Sequence, residues 1–385
     1  MPYPPYFTEE HDAFREEIRH FFATEVAPYA PQWEEQGYFP LSILRRMGEL
    51  GYLGLSYPVE VGGRGGDYFM SVVMAEEKAR CGAGGFGMAI AVQTDMATPP
   101  IYQFGTPEQI ERFLKPAIRG EKLACLGITE PNHGSDVQSI ETRAYRDGDE
   151  WVINGSKLYI TNGPRADFIT LVARTSDAPG YKGISLFLVE LDRPGVSVAK
   201  VLDKVGMRSS DTAELVFDNV RVPHENLLGE EGKGFYQIMW ELQGERVISA
   251  AGSVGSAQYA FELACSYAQG RAVAGKPLIR NQVIRHMLAE MATEIEAVRQ
   301  MVYATAYRFA RKEATPWEIS MAKLAASQLA HKVIDQTLQI HGGNGYTMDY
   351  PVERMWRDSR LPRIGAGTDE IMKEIIAKGL HIIER

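Results

Sequence analysis

The chain has 385 residues, 45% hydrophobic and 24% charged, a balance ordinary for a globular protein with room for two or three domains and a large core. A net charge of −9 speaks against nucleic acid as a partner. The three cysteines, Cys81, Cys125 and Cys265, have no CxxC spacing, which fits buried thiols in a reducing compartment and no metal site.

The N-terminal MPYPPYFTEEHDAF is acidic and has neither a signal-peptide apolar core nor the arginines of a transit peptide. Thr8-Glu9-Glu10 opens a helix with Phe14, Ile18, Phe21 and Phe22 on one face. Pro40 opens another that runs through Leu50 and stops at Gly51. Gly62-Gly63-Arg64-Gly65-Gly66 looks like a phosphate cradle, but no strand precedes it and no GK[ST] follows, so it reads as a tight loop. Helices are predicted over 68–80 and 88–104, and Thr106-Pro107-Glu108-Gln109 caps a further one.

From about Lys122 to Glu230 short runs rich in Val, Ile, Thr and aromatics alternate with Gly, Asp, Asn and Pro. Asp147-Gly148 and Asn154-Gly155 are hairpin signals. Antiparallel strands at this spacing predict a compact barrel or sandwich. Past Gly234 the pattern is helical, near 235–270, 280–312, 316–340, 351–358 and 368–383, with Ala- and Met-rich faces that suit a four-helix-type bundle. The expected class is α+β multidomain: an N-terminal α-helical domain (1–124), a middle antiparallel β-barrel or sandwich domain (125–232) and a C-terminal helical bundle (233–385). The closing HIIER carries no sorting signal, and no window approaches about 18 uninterrupted apolar residues. A cytoplasmic protein with no membrane partner is expected, most simply a bacterial one or a mature organellar one.

Three stretches carry possible chemistry. Leu126 to Asp136 (LGITEPNHGSD) joins a strand end to a Gly-Ser-Asp turn, whose hydroxyls at Thr129 and Ser135 could bond a heterocycle or serve only as turn caps. In Lys157 to Gly163 (KLYITNG), Tyr159 could stack on a planar ring or be an edge-strand aromatic. Between 338 and 373, Gly342-Gly343-Asn344-Gly345 and Ile364-Gly365-Ala366-Gly367-Thr368 bracket a short helix that opens at Tyr350-Pro351. These glycine breaks allow close approach of a flat ligand, and equally serve as caps between packed helices.

Taken in order, EPNHGSD (130–136), INGSKLYITNG (153–163), GMRSSDT (206–212), HGGNGYTMDYPVERMWRD (341–358) and GAGT (365–368) resemble the motifs of the acyl-CoA dehydrogenase flavoproteins, over almost the whole chain. The resemblance implies the domain order above, FAD as cofactor, an acyl-CoA thioester as substrate, electron transfer flavoprotein as the usual oxidant, and a homotetramer (dimer of dimers) or sometimes a dimer. It implies that Leu126, Ile128, Thr129, Gly134 and Ser135 line the flavin ring, Ser135 also meeting acyl-CoA. Tyr159 takes the ring-stacking position, where the family more often has Trp, and Thr161 a flavin contact. Arg271, Gln282, Gln339, Gly342 and Gly343 match positions that reach a neighbouring subunit's FAD, with Ala274 in place of the usual Phe. Thr368, Asp369 and Glu370 match a segment near the cofactor.

The reaction implied is α,β-dehydrogenation, in which a carboxylate removes an α-proton. Many relatives carry that Glu in the last glycine motif, where this chain has Ala366. The isovaleryl-CoA and long-chain enzymes place it on the helix opening the bundle, immediately before an Arg, and here stands Gln243-Gly244-Glu245-Arg246. The IGAGT form is most similar to the isovaleryl type, so Glu245 is expected to be the base. Gln243, Arg246, Gly365, Ala366 and Gly367 are expected at the substrate, with the Ala366 N–H on the thioester carbonyl. Small residues at 365 and 366 favour a branched or bulky acyl chain, isovaleryl-like or a longer isoprenoid such as citronellyl, in a pocket whose depth is set by Gln93 to Ile101. A straight medium- or long-chain dehydrogenase, a non-catalytic FAD- or acyl-CoA-binding member, and an O₂-reducing oxidase stay open as alternatives.

Overall fold

The computed structural model describes residues 6–382. The start of the acidic N-terminus (1–5), the end of HIIER (383–385) and the last residue of the helix expected over 368–383 lie outside the described residues. The first helix, Glu9–Phe21, opens as expected at Thr8, whose backbone N–H and hydroxyl meet His11 Nδ1 at 3.0 and 2.9 Å. Helix Leu41–Glu49 ends before Gly51, which takes φ +73. The glycine loop at 62–66 is closed on itself: the N–H groups of Gly63, Arg64, Gly65 and Gly66 donate to carbonyls of Pro58, Gly54, Tyr57 and Leu55. None is left to cradle an anion.

Helix Tyr68–Lys78 is capped by Asp67, which accepts from Phe69 and Met70 N–H. The helix expected over 88–104 is three pieces: Gly84–Ala91, a π-helical segment Val92–Ala97, and Pro99–Phe104. Pro99 and Pro100 have no N–H to continue an α ladder, and the Thr98 hydroxyl donates to Gln93 O at 2.7 Å across the widened turn.

The middle of the chain forms an eight-stranded sheet in the order β6-β7-β3-β2-β4-β5-β8, with β1 beside β4. Its strands are β1 (Ala124–Gly127), β2 (Arg143–Asp147), β3 (Glu150–Thr161), β4 (Phe168–Arg174), β5 (Ile184–Glu190), β6 (Val196–Val201), β7 (Thr212–Pro223) and β8 (Leu227–Leu228). Most neighbours are antiparallel, as expected, but β1 runs parallel to β4, and β2 meets β4 in parallel at Arg143 opposite Arg174. The sheet is therefore mixed. Strands that are not joined by a short turn are free to pair in either sense, and between β1 and β4 the chain runs through the whole β2–β3 hairpin.

Asp147-Gly148 makes that hairpin, with Asp147 opposite Glu150. Asn154-Gly155 does not turn the chain. It lies inside β3 as a bulge against β7, where Gly155 (φ +146) passes so close to Thr142 that a Cβ would stand 2.6 Å from its hydroxyl.

The bundle is built on one 37-residue helix, Gly234–Gly270, which packs against Gln282–Ala310 and Pro316–His341 through buried alanines such as Ala250, Ala257, Ala264, Ala322 and Ala326. Pro351–Asp358 and Asp369–Gly379 complete it. The long helix also touches the other two layers: a Cβ at Gly234 would stand 2.6 Å from the Ser185 backbone on β5, and one at Gly255 2.5 Å from Glu76 O on Tyr68–Lys78. Among the described residues, no helix is long and apolar enough to cross a membrane.

The loop between β1 and β2 is held down by a buried ion pair. Lys157 Nζ, fully enclosed, donates to Glu130 Oε1 at 2.7 Å and to Ile128 O at 3.0 Å, and Glu130 also accepts from the N–H groups of Glu141 and Thr142. Burial draws Lys157 down to about 8 even beside that carboxylate. Burial alone would push Glu130 up, but the Lys157 charge and the hydrogen bonds from Lys157, Thr142 and Glu141 together hold it below its ordinary value. Lys157→Met leaves Glu130 enclosed without its cation, so a loss of about 3–5 kcal/mol is expected in urea denaturation, partly recovered by adding Glu130→Gln.

Candidate functional site

A cavity of about 990 Å³ opens where the long helix, the segment 84–97, the β1–β2 loop, β3 and the 361–375 turn converge. One wall is the β1–β2 loop and β3. Leu126, Ile128, Thr129, Gly134, Ser135, Tyr159 and Thr161 all border the space. Leu158 N–H donates to Thr129 O at 2.8 Å, which fastens the loop to the strand. A Cβ built on Gly134 would meet nothing within 4 Å, so the backbone there faces open volume. The β3–β7 register slips between Lys157 and Ile160, and Tyr159 sits in that bulge at φ +63 with 66% of its surface exposed. The bulge turns the ring out of the strand's alternation and leaves it free for a planar ligand.

The opposite wall is the long helix and the last glycine break. Glu245 borders the cavity and is 8% exposed. Burial pushes its carboxyl up to about 7, against the opposing charges of Arg246 and Lys323 and with a small push from Asp95. Arg246 Nε donates to Ala366 O at 3.0 Å, and Lys323 Nζ donates to Gly367 O at 2.7 Å. Two consecutive carbonyls are thus held by two buried cations. Ala366 takes φ +56, a strained position for a residue with a side chain, and Gly367 takes φ +98, where a Cβ would stand 2.7 Å from Met372 Cε. Thr368 caps the following helix through Ile371 N–H.

Other residues named from sequence lie elsewhere. Gln243 does not border the cavity; its Nε2 donates back to Met239 O at 3.1 Å. Asp369 is buried under the turn, paired with Arg363, and Glu370 is exposed on the first turn of its helix. Arg271, Gln282, Gln339, Gly342 and Gly343 are exposed at the end of the bundle where Tyr267 stacks on His341, away from the cavity. Of the stretch Gln93 to Ile101, Asp95 and Met96 border the space, with Val92 just before it. Gln93 points away: its amide donates to Ala117 O and Lys122 O and accepts from Ala124 N–H, and Ile101 is core.

Sequence reasoning passed over Lys323, Glu241 and Lys78, and took in Asp95 only as part of the stretch Gln93 to Ile101. Lys323 is fully buried on an alanine-rich helix face, and burial draws it down to about 8. Its only signal was a lone charge on an apolar stripe. Glu241, one turn before Glu245, is buried with both carboxylate oxygens unpartnered. Burial, then the charge of Glu245, pushes it well above the ordinary carboxylate range.

Three family models match the chain: "Acyl-CoA dehydrogenase, N-terminal domain" over 8–121, "Acyl-CoA dehydrogenase, middle domain" over 125–220 and "Acyl-CoA dehydrogenase, C-terminal domain" over 232–381. A probable acyl-CoA dehydrogenase, YngJ, of Bacillus subtilis is 41% identical over 97% of this chain and 98% of its own length. The mitochondrial long-chain specific acyl-CoA dehydrogenase of Rattus norvegicus is 40% identical over 97% of this chain and 86% of its own. The crystal structure of a probable acyl-CoA dehydrogenase from Mycobacterium abscessus superposes with a TM-score of 0.95 at 41% identity, covering 97% of this chain and all of that one.

The burial of Glu245 has a thermodynamic signature. Its carboxyl titrates near 7 in the folded chain and near its ordinary 4.5 when unfolded. Below about 4.5 both states hold the proton and nothing is lost; as pH rises toward 7 the unfolded chain releases it first, and stability falls. Glu245→Gln is expected to gain on the wild type between these limits and to level off above about 7, by on the order of 3 kcal/mol, in urea denaturation across a pH series.

Proposed function

This chain belongs to the acyl-CoA dehydrogenase family, whose cofactor is FAD, and we propose that it dehydrogenates the acyl group of a branched or bulky acyl-CoA between Cα and Cβ, with Glu245 as the base. The observation that carries this reading is the buried carboxylate of Glu245 on the cavity wall, held near neutrality, where the last glycine motif offers only Ala366; Asp358, also on the wall and also raised to about 7, is taken up by the Met207 N–H. A base with that affinity gives up its proton as pH rises through neutrality and still takes one readily.

The cavity suits FAD. The open backbone at Gly134 admits close approach, the hydroxyls of Thr129, Ser135 and Thr161 can bond a heterocycle's edge, and the free ring of Tyr159 can cover its face. When bound, FAD accepts the hydride that leaves Cβ. Glu245 takes the α-proton. The Ala366 N–H polarises the thioester carbonyl, and Arg246 and Lys323 keep that turn in place from behind. Gly365 and Ala366 leave room beside the reacting carbons for a branch, isovaleryl-like or isoprenoid. A straight long-chain acyl group is the second reading, favoured by the rat relative and by a volume of about 990 Å³.

Electron transfer flavoprotein is the proposed oxidant and the cytoplasm the proposed compartment. We assign Arg271, Gln282, Gln339, Gly342 and Gly343 to the FAD of a neighbouring subunit in a tetramer, since all five are exposed and share one end of the bundle.

Anaerobic titration with straight and 3-methyl-branched acyl-CoAs, followed by loss of the flavin absorbance, tests the reading. Branched chains are expected to bleach the flavin most effectively. Glu245→Gln is expected to lower the bleaching rate by about 10²–10⁴-fold with FAD retained. Wild-type kcat/KM is expected to rise with pH through about 7, as Glu245 loses its proton. Unchanged bleaching by the variant would remove Glu245 from the role.

A further inference from the structure

Among the described residues, one pair of charged side chains in the cavity makes no hydrogen bond to Glu245 or to the turn facing it. Lys78 ends the helix Tyr68–Lys78, and Asp95 lies in the π segment Val92–Ala97. Both border the large cavity. With Ala75 and Ile248 they also border a second space of about 20 Å³, room for one water, whose wall carries the polar side chains of Tyr57, Ser71 and Thr94. The pair therefore stands where the apolar chamber meets a polar recess.

Lys78 is only 8% exposed, and its stem lies over Gly87, where a Cβ would touch Cγ at 3.5 Å. Among the described residues its ammonium donates no hydrogen bond to the protein; it feels only the charges of Asp95 and Cys81. Asp95 accepts the Thr94 hydroxyl on Oδ2 at 2.9 Å, and its other oxygen has no such partner. Burial draws Lys78 down and pushes Asp95 up, so both groups gain from a polar guest. A buried ammonium with three unused donors calls for an acceptor, and a carboxyl oxygen on the same wall calls for a donor.

We propose that Lys78 and Asp95 form a subsite for a hydroxyl group at the far end of the acyl chain, making the substrate class an ω-hydroxyacyl-CoA. A hydroxyl accepts from the ammonium and donates to the carboxyl at once. A ketone meets only the first need. A terminal carboxylate adds a negative charge to a cavity already holding Asp95 and Glu245, with Glu241 behind. The hydroxyl is recognised and not oxidised; the bond chemistry stays at Cα–Cβ.

This inference rests on the acyl-CoA reading and deepens it. Its test uses FAD-loaded enzyme and a ladder of chain lengths, each as a terminal-methyl and a terminal-hydroxyl acyl-CoA. At the length that spans the chamber, the hydroxyl member is expected to have kcat/KM roughly tenfold or more above its methyl twin, because leaving a built polar site unpaired is penalised. Lys78→Met is expected to reduce that ratio at least tenfold. A methyl preference at every length, or a ratio indifferent to Lys78→Met, overturns the subsite and leaves the dehydrogenase reading standing. Failure of every acyl-CoA to bleach the flavin overturns the dehydrogenase reading itself. The wild-type ladder decides even where the variant does not fold.

Discussion

The arrangement around Glu245 depends on where its neighbouring cations are already engaged. Arg246 and Lys323 lie close enough to oppose burial, yet their bonds go to the carbonyls of Ala366 and Gly367. Had either formed a direct ion pair with Glu245, the carboxyl would fall toward or below its ordinary range. Held off by a backbone turn, they lend charge without taking the lone pairs. One set of contacts thus tempers the effect of burial on the carboxylate and shapes the turn facing it.

That turn can be held so tightly because the long helix is anchored along its whole length. Gly234 seats its start on β5, Gly255 brings its middle against the helix bearing Glu76, and alanines let the bundle helices close on the rest. Glu245 lies between the two glycine contacts, so its position is fixed by the sheet, the first helices and the bundle together. A larger residue at either glycine would move the carboxylate through the helix as a rigid body.

Much of this was legible from sequence because it rests on local rules. Thr8, Pro40 and Gly51 mark helix ends, and Asp147-Gly148 marks a hairpin, each through its own backbone preference. Asn154-Gly155 misled because the same dipeptide suits a bulge, and only the approach of Thr142 decides between them. The parallel seat of β1 beside β4 is a long-range choice with no local mark. Glu245 was singled out only by the resemblance of its neighbours, since a Glu before an Arg on a helix is ordinarily a solvated pair. Lys323 and Lys78 were missed because a lysine is expected at the surface, and only the folded chain encloses them.

The π turn at Val92–Ala97 has a consequence for how such a chamber can change over time. A π turn holds one residue more than the α turn it replaces, so gain or loss of a single residue there converts one into the other. Gln93 ties its inner side to the chain around Ala117 to Ala124, and Pro99 restarts the helix beyond it. A one-residue insertion or deletion between these fixed points would rotate Asp95 and Met96 relative to the chamber and leave the register on either side unmoved. The depth and polarity of the chamber are in this sense adjustable in single-residue steps, separately from the surroundings of Glu245.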